Sequence, residues 1–134
     1  MLRRRRAWRA DTLNLPALLA PGELLELQHV PEAVFVDASI EGYIVALARA
    51  TRDEPHVAIG ASPRGSLALM KLSRALAALD GRSFVTPDDV KAAAVPALAH
   101  RLMLRPESWG GRVSTRGIIR SLLDRVPTPQ VHVS

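Results

Sequence analysis

Apolar residues recur at intervals of three and four along much of this 134-residue chain, and this spacing places them on one face of a helix. The clearest case begins at Pro63 and ends near Asp80. Four leucines share its predicted buried face: Leu69, Leu72, Leu76 and Leu79. The pattern predicts a long amphipathic helix, which Gly81 can end because glycine readily adopts the left-handed conformation that follows many helices.

Four further helices are predicted from the same spacing and from residues that start or stop helices. They are expected from Glu23 to Val30, from an Asp37 cap to about Thr51, after Thr86, and from about Thr115 to Arg125. The helix after Thr86 has the strongest start, because an N-cap threonine is followed by a proline and two aspartates. Pro96 lies inside it and predicts an interruption with a kink near Val95.

Short apolar stretches between the helices predict no more than a minor β pairing, near Val36, Ile59, Phe84 and Leu104. The predicted fold class is therefore all-α, a small bundle of four to five helices. Leucine, alanine and valine must fill its core, because the chain has only two Phe, two Trp and one Tyr. There is no cysteine, which excludes disulfides and thiolate metal sites. The four histidines are scattered, so no metal site is predicted.

The net charge of +5 comes from the N-terminus. Five arginines lie there: Arg3, Arg4, Arg5, Arg6 and Arg9. Without these five, the chain has 13 basic and 13 acidic residues. The predicted organisation is a basic arm and linker over residues 1–21, followed by one helical domain over residues 22–134. No apolar run is long enough for a membrane span and no secretory signal is visible, so we predict a cytoplasmic protein without a membrane partner.

The stretch Gly60-Ala61-Ser62-Pro63-Arg64 precedes the long helix. Ser62 suits the N-cap and its hydroxyl can accept from a free N–H of the first turn, while Pro63 suits the first helical position. Arg64 then falls in the first turn, where the positive end of the helix dipole disfavours a cation. An arginine placed there can serve an external phosphate. Local physics alone leaves a surface arginine without a role equally open.

This stretch and the helix after it closely resemble the C-terminal lid of MoxR-family AAA+ ATPases. The similarity extends to "YIVALARATR", "VTPDDV" and "HRLMLRPE". In that family the stretch carries the sensor 2 arginine, which reaches the phosphates of the nucleotide. The resemblance implies that Arg64 is this catalytic arginine and that Gly60, Ser62 and Pro63 lie with it at the nucleotide. Gly65 departs from the alanine often found there, which is expected to cost some helix stability.

The resemblance implies a lid that closes over ATP in a chaperone-like remodelling machine. Its partners would be its own AAA+ core, joined through residues 1–21, and neighbouring subunits of a ring that is a hexamer in the family. The sequence does not indicate the client protein. It contains no Gly-x-x-x-x-Gly-Lys-[Ser/Thr] loop and no acidic strand end for Mg²⁺, so Mg-ATP would be held mainly by the core. This chain alone is expected not to hydrolyse ATP.

A small helical DNA-binding module with a basic N-terminal arm is the alternative interpretation. The run from Arg3 to Arg6, with Trp8 close by, combines cations and an aromatic ring as single-stranded nucleic acid binding requires. The rest of the chain is nearly neutral, however, and this argues against a dedicated nucleic-acid surface. The sequence therefore favours ATP, rather than nucleic acid, as the ligand.

Overall fold

The computed structural model describes residues 16–130, so the predicted basic arm lies outside the described residues. The described part contains five α-helices and one two-stranded sheet, which confirms the predicted helical bundle with minor β pairing. The helices are α1 (Pro21–His29), α2 (Ala38–Ala50), α3 (Pro63–Leu79), α4 (Pro87–Leu98) and α5 (Thr115–Arg125), and the strands are β1 (Val57–Ile59) and β2 (Met103–Leu104). None of the described helices is long and apolar enough to cross a membrane.

The β pairing occurs close to the positions predicted for it. Strands β1 and β2 are antiparallel, with Val57 opposite Leu104 and Ile59 opposite Met103. Near the other two predicted positions the pairing is a single parallel bridge between Phe35 and Phe84. The bridge joins the segments that enter α2 and α4, and the two-stranded sheet joins the segment that enters α3 to the segment that follows α4.

The buried face of α3 overlaps only in part with the face that its leucines predicted. The buried positions are Gly65, Leu69, Ser73 and Ala77, at intervals of four. Leu72 and Leu76 lie at the margin of the core, and Leu79 is 83% exposed, so its predicted place in the core is wrong. Three of these four residues are small and let α3 approach α4 closely, and α4 also has buried alanines (Ala93, Ala94 and Ala97).

Two other helices also differ from the expectation. No residue of α1 is buried within the described part of the chain, so the predicted face with Leu24, Leu27 and Gln28 is not part of the core there. Helix α4 continues past Pro96 to Leu98, so the predicted interruption is absent. Pro96 has no N–H to donate to the carbonyl of Ala92, and α4 continues despite the loss of this one hydrogen bond.

A buried ion pair joins the end of α3 to the start of α4. Asp89 is 6% exposed and accepts two hydrogen bonds from the Arg82 guanidinium, at 2.7 and 2.6 Å. The Thr86 backbone N–H and hydroxyl also donate to it, both at 2.8 Å. Burial alone would raise the pKa of Asp89, but the hydrogen bonds from Arg82 and Thr86 outweigh it and hold this pKa below its ordinary value. Asp89 is therefore more than the helix cap that the sequence indicated.

We expect Asp89→Asn to lower the free energy of unfolding by about 1.5–3 kcal/mol at neutral pH, since a buried charged hydrogen-bond partner is lost. Because the folded-state pKa lies below the ordinary value of 3.8, this stabilisation is present above that pH and disappears as the pH falls through the folded-state pKa. Denaturant unfolding of both proteins between neutral and strongly acidic pH measures it. A stability difference that stays constant down to the most acidic pH would contradict the assignment.

Candidate functional site

The predicted start of the long helix is confirmed, with one correction. Ser62 is the N-cap residue, in extended conformation with φ −79° and ψ 169°, and Pro63 is the first helical residue. The Ser62 hydroxyl makes no capping hydrogen bond, contrary to the expectation. The Gly65 N–H instead donates to the Ser62 carbonyl oxygen at 2.7 Å, so one of the N–H groups that a capping side chain would satisfy is already bonded.

Arg64 projects from the first turn of α3 and is exposed to solvent. Among residues 16–130 it takes part in no ion pair, and its side chain makes no hydrogen bond there. Its charge is therefore not used within the described domain. It stands at the positive end of a 17-residue helix, where an anion is favoured.

The loop before Arg64 is fastened to the end of α2 by Thr51. This residue is fully buried, and its hydroxyl donates to the Ala48 carbonyl oxygen at 2.7 Å. The same oxygen accepts the backbone N–H of Ala61 at 2.8 Å. One hydroxyl thus satisfies a carbonyl at the end of α2 and fixes the backbone three residues before Arg64.

Arg52 makes a second contact between the end of α2 and this loop, and its position explains why residue 60 is a glycine. The Arg52 Nε donates to the Ala61 carbonyl oxygen at 3.0 Å. A Cβ atom at Gly60 would lie 2.7 Å from Arg52 Cγ and 2.9 Å from Arg52 Cα, which is too close for any side chain. Gly60 is therefore required for the close approach of this loop to α2. Sequence periodicity gave no sign of this role, although Thr51 and Arg52 stand within the quoted "YIVALARATR".

Gly65 also proves to be a packing residue. It is buried, and a Cβ atom on it would lie 3.3 Å from Ala61 Cβ, 3.4 Å from Leu98 Cδ2 and 3.6 Å from Arg101 Cδ. The missing side chain thus brings the first turn of α3 close to the end of α4. The sequence indicated only the cost of a helical glycine, and this packing is a gain that offsets it.

A groove lies between α2 and the first turns of α3, with a volume of about 530 Å³, and its lining includes Pro63, the residue before Arg64. Its walls are mostly apolar and include Ile44, Val45, Ala48, Pro63, Leu67 and Met70. Glu41, Arg49 and Arg52 also line it. In the described part of the chain no three His, Asp or Glu side chains are grouped as a metal site. The surface around Arg64 thus combines a cation with accessible apolar side chains.

We expect Thr51→Val to lower the free energy of unfolding by about 1–3 kcal/mol, because the Ala61 N–H would be left buried without an acceptor. The control is Thr51→Ser, which keeps the hydroxyl and loses only a buried methyl group, worth about 0.8 kcal/mol. Denaturant unfolding compares them. Equal stabilities for the two variants would show that the hydroxyl does not hold the loop.

Comparison with known proteins adds independent evidence on the same region. The model of the AAA lid domain family matches residues 49–121. The uncharacterized protein YeaC of Bacillus subtilis is 39% identical over 116 residues, which are 87% of this chain and 36% of YeaC. Chaperone MoxR1 of Mycobacterium tuberculosis is 35% identical over 124 residues, covering 86% of this chain and 33% of MoxR1.

A solved structure shares the whole arrangement of helices. It is the crystal structure of a presumed ATPase from Cytophaga hutchinsonii, with a TM-score of 0.85 and 27% sequence identity, covering 96% of this chain and 42% of that protein. The chain spans about a third of the length of the two curated relatives. The family match includes the fastened loop, Arg64 and both helices that meet at Gly65. This chain therefore belongs to the AAA lid domain family, as the lid of a MoxR-family AAA+ ATPase.

Proposed function

We propose that this lid closes over ATP held by the AAA+ core of its ATPase, and that Arg64 is the sensor 2 arginine that contacts the phosphates. The observation that carries the proposal is an exposed guanidinium at a helix N-terminus that has no ion-pair partner among residues 16–130. The helix start that bears it is fixed by Thr51 and Arg52. A guanidinium that projects from a well-fixed helix start and has no partner within the described domain is suited to bind a ligand outside it.

The chemistry of Arg64 fits a phosphate. A guanidinium stays charged at any physiological pH and presents N–H donors in a planar fork, which matches two oxygens of a phosphate group. The first turn of α3 adds the partial positive charge of the helix dipole. Ser62 and Pro63 set the direction in which the helix begins, and Gly60 allows the preceding loop to reach its place. We therefore propose that these three residues position Arg64 at the nucleotide.

The groove between α2 and α3 supports closure onto the core. Val45 and Leu67, on its two walls, are 43% and 54% exposed, and closure would remove apolar surface of this kind from water. Arg64 stands at the same end of α3 as this surface. The lid can thus combine a nonspecific apolar contact with one contact that depends on phosphate charge.

A lid of this kind can report which nucleotide is bound. Arg64 favours the closed arrangement as long as the anionic oxygens that it contacts are present, and it loses part of that contact once the γ-phosphate has left. A difference in contact between two states is what shifts an equilibrium between two arrangements. Bound Mg-ATP would supply the phosphoryl group and its charge, while this chain supplies the guanidinium and its support.

We propose further that the lid works in a ring of subunits, a hexamer, in which it meets its own core and a neighbouring one. The motion driven by ATP would remodel a client protein. The support is family membership and the name of the relative MoxR1, which is called a chaperone. The proposed activity belongs to the complete ATPase, because this sequence contains no phosphate loop.

The proposal is tested by nucleotide affinity in the ATPase that carries this lid. Calorimetric titration with a non-hydrolysable ATP analogue and with ADP should show that Arg64→Ala weakens binding of the analogue. We expect at least a tenfold loss, because a hydrogen bond to a charged group contributes about 1.5–3 kcal/mol, and a smaller loss for ADP. Unchanged affinity for both nucleotides would overturn the sensor assignment.

A further inference from the structure

A second arginine lies beside the start of α3. Helices α3 and α4 pack extensively on each other, and they are antiparallel. Arg82, after the end of α3, pairs with Asp89 at the start of α4, whereas Leu98 at the end of α4 lies against Gly65 at the start of α3. The short 3₁₀ turn that follows α4, Ala99–Arg101, is thereby brought to the helix end that carries Arg64.

The Arg101 side chain crosses this junction. Its Nε donates to the Ala97 carbonyl oxygen at 3.0 Å, and its Cδ lies 3.6 Å from the position that a Cβ atom on Gly65 would take. Gly65 is the residue next to Arg64, so the stem of Arg101 passes over the same turn of α3. Arg101 is exposed, and within residues 16–130 its two terminal nitrogens have no hydrogen-bond or ion-pair partner.

The charges at this junction do not balance within the described domain. Arg64 and the stem of Arg101 both lie at the first turn of α3, and none of the ion pairs formed among residues 16–130 involves either residue. Two cations near the positive end of one helix repel each other, and an anion bound by both would remove that repulsion. The Arg101 Nε is used to cap the end of α4, whereas the N–H groups on the two terminal nitrogens have no partner among residues 16–130.

We infer that Arg101 is a second phosphate-binding residue, which acts with Arg64 on the polyphosphate of a nucleoside triphosphate. The inference rests on the proposed function, because it takes the ligand of Arg64 to be that polyphosphate. Two guanidinium groups from two helix ends can bind different oxygens of one phosphate chain.

The test uses ATP hydrolysis by the ATPase that carries this lid, with Arg101→Gln, Arg101→Lys, Arg64→Ala and the double variant Arg64→Ala/Arg101→Gln. A residue that binds ground state and transition state alike changes KM and leaves kcat in place. We expect Arg101→Gln to raise KM for ATP about tenfold with kcat unchanged, and Arg101→Lys to recover part of that loss. In the double variant the two effects on ATP affinity should not add, as for residues that share one ligand.

Melting temperatures and one further variant separate this role from a structural one. A residue that only caps α4 would lower the melting temperature and leave KM for ATP unchanged, and that result would overturn the inference. Arg120→Gln, at an exposed arginine of α5, should change neither quantity. If Arg64→Ala weakens ATP binding and Arg101→Gln does not, this inference alone fails. If neither variant has an effect, the proposed function fails as well.

Discussion

Replacing Arg64 with alanine is expected to lower kcat for ATP hydrolysis roughly ten- to a thousandfold in the ATPase that carries this lid, because one charged donor to a transferring phosphoryl group is lost. The lid itself should remain folded. Arg64 is exposed, and the buried face of α3 is formed by Gly65, Leu69, Ser73 and Ala77, so its truncation opens no cavity. Steady-state turnover and thermal unfolding of the same preparation measure the two parts of this expectation.

Lys71→Ala is the matched control. Lys71 is an exposed cation on the same helix, seven residues after Arg64, and therefore lies on nearly the same face, about 10 Å further along the axis. It should turn over ATP at the parental rate. Equal rates for Arg64→Ala and the parent would mean that Arg64 is a surface arginine, and equal slowing of both variants would show a general effect of surface charge.

The largest effect on stability is expected for Leu69→Ala. Leu69 is fully buried in the middle of α3, on the face that α3 turns to the core. Truncation of a buried leucine removes its transfer free energy and leaves a cavity, which together cost about 2–5 kcal/mol.

Leu79→Ala gives the contrast, since Leu79 is 83% exposed. Its truncation should change the free energy of unfolding by no more than about 0.5 kcal/mol, as is usual for surface substitutions. Denaturant unfolding of both variants tests whether the buried face of α3 extends to Leu79. If Leu79→Ala were as destabilising as Leu69→Ala, Leu79 would lie in the core, as the sequence predicted.

Local signals in the sequence predicted the helix starts well. Asp37 caps α2 by accepting the Ser39 N–H at 2.8 Å, and Thr86 and Asp89 form the capping box of α4. Each depends on residues within three positions of one another, which a single sequence displays. The buried face of α3 was harder to predict, because it is built partly from glycine, serine and alanine. These residues carry little hydrophobic signal and matter through the close approach that they allow.

For the candidate site as well, the local features were predictable from the sequence and the long-range contacts were not. The position of Arg64 in the first turn of α3 follows from Ser62 and Pro63 alone. The fastening of its loop does not, because Thr51 and Ala61 are ten residues apart and meet only when α2 and α3 are packed. Arg101 is further still from Arg64 in sequence, and only the antiparallel packing of α3 on α4 brings the two together. Long-range contacts of this kind leave no periodicity in the sequence.

The most direct test of the central claim is the distance between the Arg64 guanidinium and the nucleotide in a structure of the complete ATPase with a bound non-hydrolysable ATP analogue. The account predicts that a guanidinium nitrogen of Arg64 lies about 2.7–3.2 Å from a phosphate oxygen, within hydrogen-bonding distance. An Arg64 side chain that points into solvent, with the lid closed and the analogue bound, would contradict it.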